Sequence, residues 1–197
     1  MNFLALLSLI LVGASAQAQD SMNTTKAMPV SPPGVPAAQK SGGQPAHDDS
    51  QIVEIVKVAN DTDIKGGKMA QKKSKREDVK AYAKEMVKDH SAANEKLKKL
   101  DSKEKIKMTE NDTSRGMKEM AKHTEAHLKS VKAEDFDREY MDSELTMHQE
   151  VLDSLDNSLI PSAKDESLKA LLKDARQMVS EHLEKAKKIS VAITSKK

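Results

Sequence analysis

The chain predicts an all-α protein, and three observations carry that prediction. Ala, Lys, Glu, Leu and Met are abundant, no stretch alternates strictly between apolar and polar residues, and apolar residues return every three or four positions over five segments. Short connections fold those segments into two antiparallel hairpins, and a longer crossover between the hairpins carries a shorter extra helix. The expected architecture is a four-helix bundle.

Ahead of the bundle, Phe3 to Val12 is an apolar run too short to cross a membrane, and Ala14-Ser15-Ala16-Gln17-Ala18 follows it with small residues at alternate positions. Residues 1–18 therefore read as a signal peptide, which makes the mature chain exported. Residues 19–47 hold five of the six prolines and Gly34, Gly42 and Gly43 without an apolar period, the pattern of a disordered tether. His47 closes it as a solvated loop histidine. Residues 48–194 are long enough for one domain.

The first predicted helix, about Ser50 to Lys72, places Ile52, Ile55, Val56, Ala59, Asp63, Gly66 and Ala70 on one face. Its Gly66-Gly67 pair implies either a bend or a close approach by a neighbouring backbone. The second opens on a capping box, Ser74 to Glu77, and continues to about Lys103; the third runs from about Asp112 to Val131. The fourth runs from about Glu134 to Leu159 and stops ahead of Pro161, and the fifth opens at Ser162-Ala163-Lys164-Asp165 and ends near Thr194.

The pentapeptide Met86-Val87-Lys88-Asp89-His90 returns as Met178-Val179-Ser180-Glu181-His182, so a histidine sits in the apolar stripe of the second helix of each hairpin. The spacing from cap to histidine differs by one helical turn, 16 residues from Ser74 to His90 against 20 from Ser162 to His182. In the fourth helix Glu144 and His148, four apart, are vertical neighbours on the inward face with Tyr140. Asp63, His90, Glu144, His148 and His182 thus all point inward, one or two from each long helix. An unpartnered buried polar group costs about 1–3 kcal/mol, so these groups either meet one another or hold something.

Imidazole and carboxylate in a bundle core suit Zn, Fe, Mn or Cu. The Glu-x-x-His pair of carboxylate di-iron bundles is absent, since Val87, Leu145 and Val179 stand three residues before the histidines. Three readings remain open: a metal site, a small-ligand site, and a hydrogen-bonded network that only fixes helix register. Asp89 and Glu181, each beside its histidine, are candidate orienting groups or surface charges. Glu119, His123 and His127 stack at four-residue intervals on the third helix but lie off its apolar centre, as a solvated face does. The 11 methionines include several at stripe positions, where they fill an aromatic-poor core.

Composition excludes other chemistries. The chain has no cysteine, which removes thiol catalysis, thiolate metal sites and disulfides. Its 33 Lys+Arg against 31 Asp+Glu are interspersed, and only Tyr82, Phe136 and Tyr140 are aromatic outside the leader, which speaks against nucleic acid. No nucleophile elbow, phosphate loop, dinucleotide turn or His-Glu-x-x-His helix occurs, so the residues indicate no enzymatic reaction.

Gly67-Lys68-Met69-Ala70, Val79-Lys80-Ala81-Tyr82-Ala83 leading to Met86-Val87-Lys88-Asp89-His90, Phe136-Asp137-Arg138-Glu139-Tyr140 with His148 eight residues on, and His182-Leu183 form an ordered set. Together they resemble domain-of-unknown-function family 4142, bacterial exported proteins commonly labelled outer-membrane proteins. The resemblance implies a ferritin-like helical bundle in the cell envelope and brings no established activity. Its matching positions are His90, Tyr140, His148 and His182, with Asp89 beside His90. Asp63 stands where the family usually has glutamate, and Ala133 where it has glycine. No alternating strands of a membrane barrel occur, so the expected location is the periplasm, with peripheral association to the envelope. Two functional expectations follow. One is a bundle that binds a metal ion or small ligand among Asp63, His90, Glu144, His148 and His182, with Tyr140 as an outer donor. The other is a structural or interaction module of the envelope whose histidines only fix register.

Overall fold

A computed structural model describes residues 47–195, and every regular element among them is helical. The leader and nearly all of the tether expected from the sequence lie outside the described residues. The elements are α1 (Asp49–Lys73), α2 (Glu77–Glu104), α3 (Asp112–Ser130), α4 (Phe136–Ser154), a π-helical turn (Leu155–Leu159), α5 (Ile160–Ser162) and α6 (Glu166–Thr194).

Helix α1 starts at a capping box: Asp48 accepts from the Gln51 backbone N–H at 2.9 Å, and Gln51 Oε1 accepts from the Asp48 N–H at 3.2 Å. His47, just before that cap, is buried and not solvated as expected. The expected box at Ser74 is not a start signal. Ser74 is instead the C-cap of α1, its hydroxyl accepting from the Arg76 N–H at 3.1 Å, and α2 begins after Arg76 without a side-chain cap. The turn is too short for one serine to leave the first helix and open the second.

Pro161 likewise does not end the fourth helix where the sequence suggested. A proline ring clashes with the carbonyl four residues back in a regular helix, and here the backbone widens into a π turn ahead of it, so the helix runs on to Ser162. The cap of α6 is Asp165, which accepts from the Leu168 N–H at 2.8 Å, and not Ser162. Asp49, in the first turn of α1, accepts from the Lys164 and Asp165 N–H groups at 2.8 and 3.0 Å and ties the two helix starts together.

Four helices close around one axis, with α1 on α2, α2 on α6, α6 on α4 and α4 on α1, while α3 packs outside on α1 and α4. Their core is split in two. One apolar cluster holds Ile52, Ile55, Leu97, Leu155, Leu168 and Leu172; the other holds Ala70, Val79, Met86, Phe136, Tyr140 and Ala186. Along each of the four helices the numbering passes from one cluster to the other, which makes all neighbours in the ring antiparallel. Between the clusters lie buried polar residues, Asn60 and Asp63 on α1, His90 on α2, Glu144 and His148 on α4 and His182 on α6, with Val58, Ala59 and Leu183 beside them. A polar layer therefore lies between two apolar blocks.

Gly67 sets the α1–α2 spacing. A Cβ there would lie 2.8 Å from the Ala83 carbonyl oxygen and 2.9 Å from Val87 Cγ2, so of the two expectations for the glycine pair, close approach is the one observed, and α1 is uninterrupted. At the far end of α1, Lys73 donates to the Leu128 and Lys129 carbonyls at 2.7 and 3.0 Å and lies over the Phe136 ring, fixing α3 against the bundle.

Candidate functional site

The three histidines of the polar layer are 1–2 % exposed, and their ring centroids are 5.4 to 5.9 Å apart. Three ring nitrogens, one per histidine, lie within 4.8 Å of one another. Asp63, Glu144 and His148 form a second group of the same span, so the two groups share His148. All five side chains that the apolar stripes pointed inward thus converge.

Each imidazole is held by one nitrogen, and each by a different kind of oxygen. His90 Nδ1 lies 2.9 Å from Asn60 Oδ1, His148 Nδ1 lies 3.0 Å from the Glu144 carbonyl one turn back, and His182 Nε2 lies 3.3 Å from Asp89 Oδ2. All three partners accept, which puts the proton of each neutral ring on the held nitrogen. The other nitrogens, His90 Nε2, His148 Nε2 and His182 Nδ1, are buried with no hydrogen-bond partner. Asp63 Oδ2 lies 3.3 Å from His90 Nε2, and Asp63 Oδ1 has no partner.

The acids are as buried as the rings. Burial, and then the Glu144 carboxylate, push Asp63 well above the usual carboxylate range. Burial pushes Glu144 up to about 8, opposed by the Tyr140 and Tyr82 hydroxyls beside it. Burial, then the neighbouring imidazoles, hold His90 well below its ordinary value and His148 at about 4. His182 is lowered less far, because Asp89 opposes its burial. Burial thus favours the neutral form of every imidazole and carboxyl group in the layer. Among the described residues, no lysine or arginine takes part in it.

Asp89 does not accompany His90. One residue back along α2 is 100° away, which aims Asp89 at the α2–α6 seam, where it holds His182. Glu181, in the matching position on α6, points outward and accepts from Gln177 at 3.1 Å, so it orients no histidine. The repeated pentapeptide is consequently not a repeated environment: besides its histidine, the first copy buries Met86 and the second Val179. Tyr140 lies at the layer with its buried hydroxyl beside the Glu144 carboxyl, short of strict hydrogen-bond geometry. On α3, Glu119 pairs with Lys122 and His123 is exposed, while His127 reaches Glu139 at 3.0 Å, which fits the solvated face expected there.

Two residues of the site escaped the sequence reading. Asn60 precedes Asp63 by one turn on the same inward face of α1, a second polar break in an apolar stripe and therefore a signal that was available. Tyr82 donates to Glu144 Oε2 at 3.3 Å and stacks edge-on to Tyr140, with centroids 6.4 Å apart. An aromatic at a stripe position gives no sign of such a role.

No curated protein and no solved structure matches the chain. The family described as Domain of unknown function (DUF4142) matches residues 34–189, a span that takes in every side chain of the polar layer and most of the chain around it. The protein belongs to the DUF4142 family.

Proposed function

We propose that this is an exported protein of the bacterial envelope, a ferritin-like bundle that binds a transition-metal dication between its helices. His90 Nε2, His148 Nε2 and His182 Nδ1 would be the nitrogen ligands, with Asp63 and Glu144 supplying carboxylate. The observation that carries the reading is the three bare nitrogens. An unpartnered buried polar atom costs about 1–3 kcal/mol, a cost that an ion shared by the three rings would offset. A metal ligand requires this arrangement, a free lone pair on one nitrogen and an accepting group behind the other.

The donors fit such an ion in kind. Imidazole with carboxylate suits Zn, Cu, Fe or Mn, and the two acids would lose their protons to balance a double positive charge. One nitrogen of each ring already lies within 4.8 Å of the others, and bonds of about 2.0–2.1 Å would require the three rings to draw closer about an ion. Support for export comes from the apolar leader with its small residues, and support for a periplasmic location peripheral to the outer membrane comes from the family resemblance.

Metal analysis of untagged protein tests the reading. We expect about one ion per chain, lost in a His90→Ala, His148→Ala double variant, and a melting temperature that rises when Zn, Cu, Fe or Mn is returned to stripped protein, because a ligand of the native state alone raises stability. A folded, metal-free protein whose melting ignores all four ions overturns it.

A further inference from the structure

We propose that Asn60 and Asn94, backed by the Asp61 carboxylate, form a hydrogen-bond relay that fixes the proton of His90 on Nδ1 and so aims the bare lone pair of Nε2 into the polar layer. The relay begins at the surface. Asp61 is 42 % exposed at its side chain and pairs with Lys57. A carboxylate there only accepts, so Asn94, one turn beyond His90 on α2, must turn its NH2 group towards Asp61, and Nδ2 lies 2.9 Å from Asp61 Oδ1. The Asn94 oxygen then faces Asn60, whose Nδ2 donates to it at 2.9 Å. That leaves only the Asn60 oxygen for His90, and Nδ1 meets it at 2.9 Å as a donor.

The other two histidines show why His90 needs such a chain. His148 is held by a backbone carbonyl and His182 by a carboxylate, groups that have no donor face. His90 alone is held by an amide, whose two faces are nearly the same size and opposite in function. If Asn60 turned over, its NH2 would donate to His90 Nδ1, and the ring proton would move to Nε2, the nitrogen that lies 3.3 Å from Asp63 Oδ2 in the polar layer, and would take away its lone pair. The second amide and the carboxylate behind it remove that choice. Asn60 and Asn94 are positioning residues, and Asp61 sets their direction from outside the core.

The test uses the metal-free full chain at pH 8 and reads the His90 tautomer from long-range proton–nitrogen correlation spectra. It also reads affinity for Zn by competition with a chromophoric chelator, and this second arm rests on the metal reading above. Asn94→Leu frees Asn60 to turn over, and Asn94→Asp keeps an acceptor behind it. In the double variant Asn60→Asp, Asn94→Leu, a carboxylate meets His90 directly and makes the relay unnecessary. We expect wild type, Asn94→Asp and the double variant to carry the proton on Nδ1. In Asn94→Leu we expect Nε2–H to be populated and Zn affinity to fall 10–100-fold, the usual effect of removing an outer-shell partner. Asn94→Ala makes the same cut without bulk should the leucine disturb folding. Retention of Nδ1–H in both Asn94→Leu and Asn94→Ala, or failure of the double variant to restore it, overturns the proposal. A wild type that binds no Zn removes the metal reading, and the spectra still decide the relay.

Discussion

Replacing Glu144 by glutamine should make the metal-free protein markedly less sensitive to alkali. Folded Glu144 keeps its proton up to about pH 8, whereas the unfolded chain releases it around the ordinary glutamate value of 4.5. Between those values the unfolded state binds fewer protons, so stability falls as pH rises, by about 1.36 kcal/mol per unit. The contribution is whole below pH 4.5 and gone above pH 8. Between pH 5 and pH 9 this amounts to a loss on the order of 4 kcal/mol, a large share of the roughly 5–15 kcal/mol that holds a domain together. Glutamine has the same shape, retains a carbonyl for the Tyr82 hydroxyl and carries no charge to bury. Urea unfolding of chelator-treated wild type and Glu144→Gln at pH 5, 7 and 9 gives the comparison. The stability difference should grow by several kcal/mol in favour of the variant as pH rises, at unchanged slope. A difference that stays flat across that range would refute the argument that a buried, uncompensated carboxyl sits in the layer.

The acid side is the province of His148. Its folded value of about 4, against 6.5 unperturbed, means that stability present above pH 6.5 is lost as pH falls towards 4, about 3 kcal/mol in all; His148→Leu should shrink that loss in urea unfolding at pH 7 and pH 4, and equal losses in both proteins would contradict it. The paired glycines should respond in opposite directions. Gly67→Ala drives a Cβ into the Ala83 carbonyl and should cost about 1–3 kcal/mol. Gly66→Ala meets only ordinary contacts, at 3.5 Å from Glu144 Oε1 and 3.6 Å from Tyr140 Cε2, and should gain about 0.5–1 kcal/mol of helix propensity. Thermal unfolding of the two variants checks the pair, and a common sign would disprove the stated role of Gly67.

The helical class and the inward groups were legible because both rest on periodicity, which a single chain records directly. His90, His148, His182, Asp63 and Glu144 each interrupt an apolar stripe, and all five lie in the layer between the two clusters. What one helix cannot record is how it is turned against its neighbours. Asp89 reaches His182 across the α2–α6 seam while Glu181 turns away, although the two precede their histidines identically. Asn94 stands one turn from His90 and reaches Asn60 only because α2 lies against α1. Helix starts were misread for a local reason. Ser74 and Ser162 both fit a capping pattern, but a cap belongs to the residue at which the backbone enters the helix, and those residues are Arg76 and Asp165. Pro161 reads as a stop in the sequence because the widened turn ahead of it leaves no compositional mark.

The sandwiched layer also makes the centre of the protein a gauge of its alignment. Each of the four surrounding rods sends at least one side chain to the same level, so sliding or rolling any one of them pulls the bare nitrogens out of register. Substitutions at either greasy end that tilt a rod are therefore felt at midheight, and whatever occupies that level reports on the packing of the whole barrel of helices at once.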